Sequence, residues 1–128
     1  MILTVALSNA RAGYGQRETP VRTDRTHEYD LLARCTQRLS AAWTRRKDDF
    51  AGLATALTEN LQLWSALAAD VAEAGNGLPA PLRAQLFYLY EFTAGHTRSV
   101  LDERGSVEVL VDINTAVMRG LRGEGGGS

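Results

Sequence analysis

The sequence predicts an all-α fold: a small antiparallel bundle of about four helices with a flexible N-terminal arm. Three observations carry this. Apolar side chains recur at Phe50, Leu53, Leu57, Leu61, Trp64, Leu67 and Val71, in steps of three or four that mark one continuous helix face. A second seam runs through Tyr29, Leu32, Thr36, Leu39 and Trp43 at the same spacing. A strand finds no support, because Val107-Glu-Val-Leu-Val-Asp-Ile113 alternates only in part and has no second strand to pair with.

The elements follow in order. Residues 1–22 contain Gly13-Tyr14-Gly15 and Thr19-Pro20, lack helical periodicity and are rich in Arg, which reads as a flexible basic arm with Tyr14 as an isolated anchor. Residues 23–122 form the bundle. Thr23 or Asp24 caps the first helix, with Glu28 and Asp30 near its positive end. The charged run Arg45-Arg46-Lys47-Asp48-Asp49 is the first turn, and Asp48 caps the second helix. Gly75 suits the left-handed position that ends it. Pro79 and Pro81 then open a third helix running to about Glu103, since proline fits a first turn and fails in an interior. Its seam is Leu82, Leu86, Leu89, Thr93, His96 and Val100. Ser106 caps a fourth helix that carries Leu110, Ile113, Asn114, Val117, Met118 and Leu121. Residues 123–128 have the composition of a flexible Gly-rich tail or a cloning remnant.

Composition narrows the function classes. A chain of 128 residues with 45% apolar and 23% charged residues is one ordinary globular domain, so pattern rather than bulk must speak for function. A single cysteine, Cys35, excludes an internal disulfide and a zinc-ligand cluster. No apolar run reaches the roughly 18 to 20 residues of a membrane span. The apolar start, Met1 to Leu7, lacks the positive region of a signal peptide, and the expected location is cytoplasmic. Residues 1–47 hold nine cations against four acids, and residues 48–128 hold five against eleven. Such polarity marks either a nucleic-acid surface or two halves facing one another with their charges solvated, and the second reading is favoured.

No catalytic constellation emerges. His27 and His96 stand in no metal-ligand pattern, and there is no nucleophile elbow, phosphate loop or diagnostic carboxylate pair. The chain reads as a non-enzyme that needs no metal or cofactor. Trp43-Thr44-Arg45-Arg46-Lys47, extended by Arg11, Arg17, Arg22 and Arg25, has the charge and aromatic mix of an RNA contact. Asn60 and Asn114 are poor helix-interior residues that need a side-chain hydrogen bond to justify their places. Tyr88, Tyr90, Phe92, Val107, Val109, Val111, Val117 and Met118 exceed what one narrow seam can hide. That surplus reads as a groove for an amphipathic helix, as a wider core, or as a homodimer face.

Several segments resemble a known family. Asn60-x-x-x-Trp64, Ala74-Gly75-Asn76-x-Leu78-Pro79 and Leu110-x-Asp112-Ile113-Asn114-x-x-x-Met118-x-Gly120-Leu121 together resemble the flagellar biosynthesis regulator FlaF family. Thr23-Asp24-Arg25-Thr26-His27-Glu28-Tyr29 is similar to that family's Pro-Arg-acid-x-Glu-Tyr segment, with Asp24 where the family has proline. FlaF proteins of flagellated alphaproteobacteria support flagellin synthesis and export, in opposition to the regulator FlbT. The resemblance therefore implies a cytoplasmic flagellin chaperone, with a terminal amphipathic flagellin helix as partner and FlbT as a further candidate. On this reading the third and fourth helices offer Tyr90, Phe92, Val117, Met118 and Leu121 as apolar contacts, with Asn60, Trp64 and Asn114 completing the partner-binding set. The alternative is an RNA-linked regulator of flagellin message acting through the basic arm and Arg45, Arg46 and Lys47.

Overall fold

The computed structural model describes residues 19–122, with side chains from Thr26 onward. It contains four helices: α1 (Thr19–Thr44), α2 (Phe50–Ala72), α3 (Ala80–Leu101) and α4 (Glu108–Leu121). No strand occurs among the described residues. The expected tail at residues 123–128 and most of the arm, residues 1–18, lie outside the described residues. Helix α1 starts at Thr19, ahead of the cap expected at Thr23 or Asp24. Pro20 thereby falls in the first turn, where a missing N–H costs nothing.

Local chemistry sets the connections. The chain turns on the Arg45 carbonyl, which accepts from the amides of Asp48 (3.0 Å) and Asp49 (2.9 Å). The cap of α2 is Asp49 and not Asp48: its carboxylate accepts from Gly52 N at 2.9 Å. With Phe50 as the first helical residue, Gly52 is the third, and Asp49 is the residue whose side chain reaches that amide. After α2, Gly75 takes φ +91°, the left-handed geometry that glycine adopts without strain. Asn76 then ties the loop together, donating to Asp70 O at 3.1 Å and accepting from Leu78 N at 2.9 Å. Between α3 and α4, His96 Nε2 lies 2.7 Å from Ser106 O, and Ser106 Oγ accepts from Glu108 N at 3.2 Å.

Two apolar clusters form the core. One joins Leu39 of α1 to Leu53 and Leu57 of α2, Val100 of α3, and Val107 and Leu110 at the start of α4. The other gathers Trp64, Leu67 and Val71 of α2 around Leu86 of α3, with Ile113, Val117 and Leu121 of α4 packed against it. The end of each helix thus shares a cluster with the beginning of the next. Two seam residues are exceptions. Phe50 and Leu82 are exposed, each in the first turn of its helix.

Candidate partner-binding face

Between the two clusters lies a polar layer. Trp64 Nε1 donates to Asn114 Oδ1 at 2.9 Å, and Asn114 Nδ2 donates to Asn60 Oδ1 at 2.8 Å. An indole nitrogen can only donate, so the direction of the chain is fixed from Trp64 outward. It ends on Asn60 Nδ2, which is buried and has no acceptor among the described residues. Thr93 Oγ1 on α3 is buried in the same way, while Thr97 Oγ1 donates to Thr93 O at 2.7 Å. The chain joins α2 to α4, helices whose backbones do not meet directly. Asn60, Trp64 and Asn114, all expected to meet a partner, therefore turn their polar atoms toward one another and leave no appreciable surface to solvent.

Around this layer the helices are unevenly packed. Helix α1 lies against α2 and α4, and α2 against α3, but α3 and α4 barely meet. Leu89, Tyr90, Ile113, Val117 and Leu121 rest on the Trp64 cluster yet keep part of their surface exposed. Phe92 is exposed and stacks on His96, with ring centroids 5.6 Å apart and planes 10° from parallel. The His96–Ser106 bond sets this flank of α3 against the connection that leads into α4. Tyr90 lies on the opposite flank, toward α2, and packs against Phe87 at 5.7 Å.

On α4, Val117 faces the α3 side. Met118 is half-buried, about 100° further round the helix. It lies on the side where Arg122 donates to Tyr29 of α1 at 2.9 Å. The expected apolar contacts thus divide: Phe92 and Val117 border the α3–α4 seam, Leu121 packs on the Trp64 cluster, and Tyr90 and Met118 lie on the flanks toward α2 and α1. The sequence reading left Leu89 and Ile113 out of the contact set. Their places on the apolar seams, one turn from Phe92 and Val117, were the available signal. Thr93 was visible as a polar interruption in the α3 seam, though not as an unsatisfied one.

The basic turn has a different character. The Arg46 guanidinium lies 3.8 Å from the centre of the Trp43 ring and donates to Trp43 O at 2.8 Å, so this arginine covers the aromatic face that a base would need for stacking. Arg38 is bonded to Glu59 at 2.9 Å. Among the described residues there is no group of three or more His, Cys, Asp or Glu able to hold a metal, and no helix long and apolar enough to cross a membrane.

Comparison with protein-family models matches residues 10–121 to the flagellar protein FlaF family. The chain belongs to the FlaF family. The match spans all four helices, so the seam and the polar layer are both parts of a FlaF domain, and its role is a flagellar one. Searches of curated proteins and of solved structures gave no match.

Proposed function

We propose that this FlaF protein is a flagellin-binding chaperone that shelters a terminal amphipathic helix of flagellin in the seam between α3 and α4. The observation that carries the reading is the sparse contact between two helices that both border the core. It leaves Leu89, Phe92, Ile113 and Val117 partly open to water. An amphipathic helix laid along such a seam buries its apolar face on theirs. Each well-buried Leu or Phe anchor supplies roughly 1.5 to 3 kcal/mol, so a few offset the ordering of the bound segment. Membership of a flagellar family supports the same reading.

Titration calorimetry with purified flagellin tests it. Phe92→Asp and Val117→Asp, each checked for folding by circular dichroism, are expected to weaken binding at least about tenfold, since each sets a charge where an apolar contact forms. Arg45→Ala combined with Lys47→Ala is expected to bind as wild type does. Undiminished binding by both folded seam variants would remove this site. Loss confined to the basic-turn variant would shift the function to Arg45 and Lys47.

A further inference from the structure

The outer face of α3 carries a second apolar surface, separate from the seam. Phe87 stands 39% exposed there, about 140° round the helix from Phe92. Phe87 and Tyr88 border a shallow depression of about 440 Å³, floored by alanines and by Val71 at the end of α2. Its charged members are Arg83 and Glu91. They lie four residues before and four residues after Phe87, so the three side chains form one ridge at positions i, i+4 and i+8. Arg83 Nε is held by Leu78 O at 3.1 Å, which fixes the side chain and leaves the terminal guanidinium nitrogens to a partner. Glu91 is exposed and makes no ion pair among the described residues.

We propose that this face pairs with the same face of a second copy of the chain, through a two-fold axis at Phe87. Charge symmetry argues for this occupant. A two-fold lays the ridge against itself head to tail, so Arg83 of one copy meets Glu91 of the other, twice, while the Phe87 rings meet near the axis. Each charge lies about 6 Å along the helix from Phe87, so both pairs close without any slip in register. A heterologous partner would need a matching ridge of its own; a second copy supplies it by symmetry. The inference does not rest on flagellin binding, which uses the opposite flank of α3.

Sedimentation velocity over a concentration series tests the pairing. Wild type is expected to shift from monomer toward dimer as concentration rises. Arg83→Glu and Glu91→Arg alone each place like charges opposite one another and are expected to weaken self-association at least about tenfold. Mixing the two single variants restores both ion pairs and is expected to restore the dimer, which a merely structural defect would not do. Far-ultraviolet circular dichroism confirms that each variant is folded. A wild type that stays monomeric at its highest soluble concentration, or a mixture that fails to associate, overturns the proposal. So does loss of flagellin binding in Phe87→Ser without any change in sedimentation, since the face would then belong to flagellin. Phe92→Asp and Val117→Asp are expected to leave the dimer unchanged, so the two readings stand or fall separately.

Discussion

Asn114 accepts from Trp64 and donates to Asn60, and no other member of the polar layer holds two partners. Replacing it by leucine strands Trp64 Nε1 and Asn60 Oδ1 together, where no solvent reaches them. Each stranded group costs about 1 to 3 kcal/mol, so Asn114→Leu is expected to lose about 2 to 6 kcal/mol in urea unfolding. Asn60→Leu behaves differently. It strands only Asn114 Nδ2 and removes a donor that already lacks an acceptor, so it should stay within about 1 kcal/mol of wild type. Equal losses in the two variants would refute the directional chain. Cys35 offers a pH-dependent case. It is half-buried, and desolvation, followed by the charge of Glu59, raises its pKa above the usual thiol value, against the pull of Arg38 and Arg34. Folding thus favours the protonated thiol. That contribution is complete below the unfolded pKa and is lost as pH rises through the folded one. Alkylation at mildly alkaline pH is expected to be slower in the native protein than in urea, and Cys35→Ala should flatten the alkaline fall in stability. Equal alkylation rates in both states would contradict it.

At the scale of the elements, the start of α2 isolates one capping bond. Asp49→Ala is expected to cost about 1 kcal/mol, and Asp48→Ala nothing measurable, because only Asp49 reaches the Gly52 amide. A methyl added at Gly52 would come within 2.5 Å of Asp49 Oδ2 and displace the cap. Gly52→Ala should therefore be close to neutral in wild type. In the Asp49→Ala background, where no cap remains to disturb, it should gain up to about 1 kcal/mol from helix propensity. Thermal melts of the four variants read this directly, and a gain of the same size in both backgrounds would contradict it. The same elements show what the sequence could convey. The seams of α1 and α2 were legible because period and burial coincide at Leu32, Leu39, Leu53, Leu57, Trp64 and Leu67. The break at residues 45–49 was legible from its charges. Periodicity says which face is apolar, not where a helix outruns its neighbours, so Phe50 and Leu82 were placed in the core. Neither could it say that Asn60 and Asn114 would meet each other, since a bond between residues 54 apart depends on how four helices come together.

For the whole molecule, the packing is open in one direction: α1 and α2 each have two close neighbours, whereas α3 and α4 each have one. Helices held on one side open at lower free energy than helices held on two. Native-state hydrogen exchange is therefore expected to show α3 and α4 exchanging through partial openings, with the middle of α2 exchanging only on global unfolding. Trp64 provides the decisive reporter. Its backbone belongs to α2, but its indole N–H is held by Asn114 of α4. If α4 departs as a unit, the indole proton should exchange at the rate of the α4 amides rather than at that of its own backbone amide. An indole rate matching the α2 amides would mean that α4 does not open independently. A partner seated between α3 and α4 would supply each with the second neighbour it lacks. Saturating flagellin should then slow the α3 amides, the α4 amides and the Trp64 indole together. Protection confined to α1 and the basic turn would place the partner elsewhere.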